Sequence, residues 1–158
     1  TLSSIATVHS YTVNCAGELF CSFPNVATFA GHEVKELTHD PVDSIQAEQL
    51  QSLAAVVTHG DIDLKALRRR PTDELLATLK SISGVSTLGA QLTVLCGYGR
   101  LECFPIADTL LQRWIARNVY GSDNVDLSAI EVWAEQWENL RGLVALYIYA
   151  ELAKNGEL

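Results

Sequence analysis

Apolar side chains recur at three- and four-residue intervals along most of this chain, while strict apolar/polar alternation is short and rare, a pattern that predicts an all-α protein. Helices are expected over residues 2–20, 25–36, 43–58, 72–81, 87–97, 108–118 and 128–153. Asp40-Pro41 and Pro71-Thr72-Asp73 supply start signals, His59-Gly60 and Gly97-Tyr98-Gly99 supply stops, and Asp126 or Ser128 caps the last helix. In that last helix Ile130, Trp133, Trp137, Leu140, Val144, Tyr147 and Ile148 fall near one face, a stripe suited to a core. Segment 120–127 is the clearest loop.

With 158 residues, 48% of them hydrophobic, the chain is long enough for one compact domain, and two small helical layers also fit. No apolar run approaches the roughly 20 residues needed to cross a bilayer, so no membrane partner is expected. Thr1-Leu2-Ser3-Ser4-Ile5 has neither an initiator Met nor the basic stretch of a signal peptide, and a piece is expected upstream. The intervals between Cys15, Cys21, Cys96 and Cys103 match neither zinc pairs nor a redox CxxC, which fits reduced thiols in an intracellular chain.

A net charge of −8 argues against a nucleic-acid partner until its distribution is read. Residues 1–64 carry one base against eight acids, and residues 118–158 carry two against seven. Between them, residues 65–117 carry eight bases (Lys65, Arg68, Arg69, Arg70, Lys80, Arg100, Arg113 and Arg117) against four acids. The three stretches are therefore −7, +4 and −5, and a polyanion would meet the middle one.

That basic stretch holds the two segments with the most chemistry. Leu79 to Ala90, reading Leu-Lys-Ser-Ile-Ser-Gly-Val-Ser-Thr-Leu-Gly-Ala, is a helix, a tight turn and a second helix. Such a turn points successive backbone N–H groups at one spot where a phosphate oxygen can sit, and carbonyls facing the other way can hold a monovalent cation. A plain helical hairpin has the same signature. Fourteen residues beyond Val85 begins Gly99, and past it lies Cys103-Phe104-Pro105-Ile106-Ala107-Asp108-Thr109-Leu110, which puts an aspartate at a helix start. By itself such an aspartate is an N-cap.

Taken together, these segments resemble the helix-hairpin-helix base-excision DNA glycosylase superfamily, closest to its alkylpurine (3-methyladenine) branch. The superfamily's hairpin, of the form L-x-x-hydrophobic-P-G-hydrophobic-G-x-x-T-A, is followed about two dozen residues on by a Pro-hydrophobic-x-Asp segment, and here Gly84 and Asp108 are 24 apart. Ala134 to Gly142 is similar to the superfamily's A-E-x-W-x-P-x-R-[SG] entry to its closing helix, and Thr1 to Thr7 to its L-S-x-Q-x-[ST] helix. The resemblance implies one helix-hairpin-helix glycosylase domain over 1–158, N-terminally incomplete, built as two small helical lobes with a cleft between them and the hairpin at about 79–90. It implies Asp108 as the catalytic carboxylate, Lys80, Gly84, Val85 and Ser86 as DNA-backbone contacts, Ile5 as the wedge that fills the gap left by a flipped base, and Tyr149 in the base pocket. The carbonyls of Lys80, Ile82 and Val85 would hold a structural sodium or potassium ion.

Departures from the pattern shape the expected activity. Leu88 stands where bifunctional members carry a Schiff-base lysine, so no lyase step is expected. No cysteine follows Cys103, so no iron–sulfur cluster is expected. Ser83 and Ser86 replace the hairpin's Pro and second Gly; if position 86 needs a positive φ, the turn carries roughly 1 kcal/mol of strain. The expected function is a monofunctional glycosylase acting as a monomer on double-stranded DNA with a damaged base, cytoplasmic at the nucleoid if bacterial and nuclear if eukaryotic. The alternatives are a catalytically impaired DNA-binding relative, which the two serines favour, and a helical protein-interaction module.

Overall fold

The computed structural model describes residues 12–21, 25–31 and 44–157. The chain divides into two compact units, Thr1–Arg69 with Ile82–Gly84, and Arg70–Ser81 with Val85–Leu158. Among the described residues helices dominate both, as the periodicity predicts.

The first unit opens with a departure. Residues 12–21, expected inside a helix over 2–20, form an antiparallel pair, β1 (Thr12–Cys15) and β2 (Glu18–Cys21), with Val13 opposite Phe20. Residues 2–11 lie outside the described residues. A β-branched residue facing an aromatic one suits the ladder. Ala16 and Gly17 both adopt left-handed φ, 54° and 88°, the geometry a two-residue hairpin loop requires. The Asn14 side-chain oxygen accepts the Gly17 N–H at 3.1 Å and locks that turn. Next come α1 (Val26–Gly31) and α2 (Ser44–Thr58), which pack together around buried Phe29, Ala47 and Ala54. A short α3 (Leu64–Leu67), not foreseen from periodicity, exists because the Asp63 carboxylate accepts the N–H groups of Lys65 and Ala66 at 2.8 and 3.0 Å.

The second unit holds α4 (Thr72–Lys80), α5 (Thr87–Leu92) running on as a π-helical turn over Thr93–Gly97, α6 (Thr109–Tyr120), α7 (Leu127–Glu135) and α8 (Arg141–Lys154). Phe104, Leu111, Ile115, Ile130, Ile148 and Leu152 form its core, with Trp114 and Trp133 packed against it. At about 1.5–3 kcal/mol for each fully buried Leu or Ile, this cluster is enough to hold α6, α7 and α8 as one body.

The single helix expected over 128–153 is broken. Between α7 and α8 the chain makes a 3-10 turn at Glu138–Leu140, with Glu138 at φ 47°. The cause lies elsewhere in the sequence. The Gly142 N–H donates to the Leu101 carbonyl at 2.7 Å, and Arg141 Nε donates to the Glu102 carbonyl at 2.6 Å. These bonds re-phase the helix, so Ile130 and Ile148 are buried while Leu140 and Tyr147, expected on the same stripe, are exposed. Trp133 and Trp137 stay on one side and meet edge to face, ring centres 4.4 Å apart.

Candidate active site

Asp108 is the N-cap of α6, in extended conformation, and is only 9% exposed. Its two carboxylate oxygens have separate tasks. Oδ1 accepts the N–H groups of Leu110 and Leu111 at 2.8 and 3.4 Å, while Oδ2 accepts the Tyr149 hydroxyl at 2.7 Å. The local reading as a cap is therefore correct and occupies one oxygen, leaving the other turned toward α8. Burial, and then the hydrogen bond to Asp108, raise the Tyr149 pKa far above the ordinary phenol value, so at neutral pH this hydroxyl is always a donor.

The loop that delivers Asp108 is tied down along its length. A Cβ on Gly142 would lie 2.5 Å from the Cys103 carbonyl oxygen and 2.7 Å from that of Leu101, so only glycine lets α8 approach this closely. Thr72 donates its hydroxyl to the Glu102 carboxylate, and that bond is the largest of the influences holding Glu102 below the usual carboxylate range. The Cys103 thiol points at the Gln91 carbonyl 3.6 Å away, and burial pushes its pKa up to about 11. Two further glutamine side chains, Gln91 and Gln112, bond the backbone just ahead of Asp108.

The helical hairpin has a different character. Gly84 sits at φ 86°, and a Cβ there would also press to 3.3 Å of the Gln49 side chain. Ser86, in contrast, has φ −71° and ψ 161°. It is the N-cap of α5, its hydroxyl oxygen accepting the Gly89 N–H at 3.0 Å. The conditional strain at position 86 is thus not realised, because this serine occupies a conformation any residue adopts and contributes a cap. The backbone N–H groups of Gly84 and Ser86 have no partner among the described residues.

Solved structures overlie nearly the whole chain. The Clostridium acetobutylicum 8-oxoguanine glycosylase/lyase in complex with double-stranded DNA containing cytosine opposite 8-oxoG matches with a TM-score of 0.80 at 19% identity, over 98% of this chain and 53% of that one. The 3-methyladenine DNA glycosylase of Archaeoglobus fulgidus matches with a TM-score of 0.79 at 18% identity, over 94% of this chain and 49% of that one. This chain has the helix-hairpin-helix DNA glycosylase fold. In sequence it is 23% identical over 155 residues to the Bacillus subtilis (strain 168) protein named "Putative DNA-3-methyladenine glycosylase YfjP", covering 96% of this chain. The chain spans about half the length of that curated relative, 54% of it. No family model matches.

Within the glycosylase fold, the predicted residues separate into two groups. Asp108 and Tyr149 are brought into direct contact, although 41 residues apart. Lys80 is exposed in the last turn of α4, Val85 is half-buried and Ile82 is buried. Leu88 is half-buried in the first turn of α5. Ile5 lies outside the described residues. Of the middle basic residues, Arg117 is engaged with Asp123 at 2.8 Å and Arg100 with the Arg70 carbonyl at 3.1 Å. No helix among the described residues is long and apolar enough to cross a membrane. Sequence reasoning missed Gln91 and Gln112, since a glutamine beside a hydrophobic run carries no motif signal.

Proposed function

We propose that this chain carries the active site of a monofunctional DNA glycosylase, which hydrolyses the N-glycosidic bond of a damaged base flipped out of double-stranded DNA, with alkylated purines the favoured class. The observation that supports it most is the Asp108 carboxylate, held by one oxygen at the head of α6 and presented by the other beside Tyr149. As a base departs, positive charge grows on the deoxyribose, and a carboxylate preset next to C1′ stabilises that charge and orients the attacking water. Its hydrogen bonds keep it from reorganising as the charge develops. An alkylated purine is already electron-poor and leaves readily, so this carboxylate can act without a nucleophilic amine.

The remaining roles follow the same reading. The N–H groups of Gly84, Val85 and Ser86, with Lys80 beside them, meet the phosphate backbone, and Ile5 fills the vacated stack. Tyr149 lies at the wall of the base pocket. Carbonyl oxygens of Lys80, Ile82 and Val85 offer the hard donors that a sodium or potassium ion takes. The protein acts as a monomer and without an iron–sulfur cluster.

Release of free base from duplexes carrying different single lesions, in single turnover, is the deciding experiment. Release from an alkylpurine duplex with no strand scission is the expected result. The Clostridium acetobutylicum neighbour is a glycosylase/lyase by its own description, so the lyase step is tested separately. With Leu88 offering no amine, borohydride should trap no covalent protein–DNA adduct. Failure to release any base from any lesion would return the chain to the impaired-relative alternative.

A further inference from the structure

The peptide unit joining Ile106 to Ala107 is gripped at both ends. Its carbonyl oxygen accepts Gln112 Nε2 at 2.7 Å, and its N–H donates to Gln91 Oε1 at 3.1 Å. The two glutamines come from different helices. Gln112 lies on α6 one turn past Asp108, and Gln91 lies on α5, the helix that begins at the hairpin's Ser86 cap. Their amide orientations follow from chemistry, because a carbonyl needs a donor and an N–H needs an acceptor. Gln91 is 7% exposed, one of two buried polar side chains named in the described core, the other being Asp108. Burying an amide is unfavourable unless its hydrogen bonds are made, so a position needed only for packing is better filled by an apolar side chain.

The grip leads straight to the carboxylate. The next peptide unit is tied by the Asp108 N–H to the Pro105 carbonyl at 3.0 Å, and Oδ1 then caps α6. With the Asp108 carbonyl in turn accepting the Gln112 N–H at 3.0 Å, the peptide planes on both sides of the Asp108 Cα are held, and this sets the direction of its Cα–Cβ bond.

We infer that Gln91 and Gln112 are a pair of positioning residues that clamp the Ile106–Ala107 peptide and thereby aim the Asp108 carboxylate, with Gln91 linking the hairpin helix to the catalytic loop. This rests on the reading of Asp108 as the catalytic group. The clamp has a chemical polarity. Gln91 must accept, so Gln91→Glu keeps its half of the clamp, whereas Gln91→Leu fills the space without an acceptor. Gln112 must donate, so Gln112→Glu sets an acceptor against a carbonyl and breaks the other half.

The test measures single-turnover base release, duplex affinity, thermal melting and amide hydrogen exchange at Ala107 for these three variants and the unsubstituted chain. A misplacement of the carboxylate by a fraction of an ångström to an ångström is expected to lower release by about 10- to 100-fold in Gln91→Leu and Gln112→Glu. Duplex affinity should stay within about threefold of the unsubstituted chain, since the phosphate contacts are untouched. Gln91→Glu should retain release at a rate near that of the unsubstituted chain, with the Ala107 amide still protected. Equal losses in Gln91→Leu and Gln91→Glu, or unchanged release in Gln91→Leu and Gln112→Glu, overturn the clamp. Should Gln91→Leu fail to fold, the half-buried Gln112 supplies the deciding variant. If the unsubstituted chain releases no base from any duplex, the proposed function has failed, and the clamp is then judged by exchange alone. Faster Ala107 exchange in Gln91→Leu but not in Gln91→Glu supports it, and equal exchange in all variants overturns it.

Discussion

The loop from Leu101 to Asp108 and the hairpin turn from Ser81 to Ser86 lie close in sequence and are built on opposite plans. In the loop, Leu101, Glu102, Ile106 and Ala107 each give at least one backbone group to a protein partner, and Cys103, Phe104 and Pro105 are buried. In the turn, Ser81, Ser83, Gly84 and Ser86 are exposed, and the N–H groups of Gly84 and Ser86 are unengaged among the described residues. The contrast suits the two tasks proposed for them above. A carboxylate that stabilises a transition state has to be in place before the charge appears, so its surroundings are saturated with bonds. A surface that meets a phosphate has to keep donors vacant for it.

Asp108→Asn strikes the loop hardest. Asparagine caps helices about as well as aspartate, so the melting temperature and duplex affinity should hold while single-turnover base release falls by at least about 100-fold. Full turnover in that variant would remove Asp108 from the chemistry. Gly142→Ala comes next, because its new methyl meets two carbonyl oxygens that cannot move without displacing the loop. A loss of about 1–3 kcal/mol in denaturant unfolding is expected, with base release impaired alongside, and a neutral result would mean the loop is softer than its bonds suggest.

The turn should respond through affinity alone. Lys80→Glu should weaken binding to lesion-bearing and plain duplex alike and reduce the salt dependence, because phosphate contacts carry no lesion information. Lys154→Glu, at the end of α8 in an acidic stretch, is the matched control and should change little. Equal weakening by both would place the DNA on another face. The smallest effect belongs to Tyr149. Its raised pKa means the unfolded chain loses the phenol proton first, near its ordinary value of about 10, so this group's share of stability is intact below that pH and declines above it. Tyr149→Phe should flatten the alkaline fall of a stability–pH curve, and an unchanged curve would contradict the burial of the hydroxyl.

Legibility from sequence tracked the range of the interaction that decides each element. The helix stop at Gly60, which takes a left-handed φ of 82°, depends on residues within a turn of each other and is readable locally. The β1–β2 hairpin was missed because its loop is Ala16-Gly17 rather than Asn-Gly, so nothing overrode the helical period around it. The break before α8 was invisible for a different reason. Its cause is the pair of carbonyls at Leu101 and Glu102, about forty residues away, and no local pattern encodes an acceptor that distant. The same holds for the site, where Asp108 is reached only through the family resemblance, since by itself it reads as an N-cap, and Gln91 and Gln112 only through their bonds.

Cys103 gives the loop a further property, one of chemical durability. Electrophiles such as alkylating agents attack thiolates rather than thiols. Buried beside Gln91 with its pKa raised to about 11, Cys103 stays protonated and out of reach, whereas Cys15 and Cys96 are exposed. An alkylating agent therefore meets the exposed thiols first, and the loop that leads into Asp108 keeps its buried thiol intact.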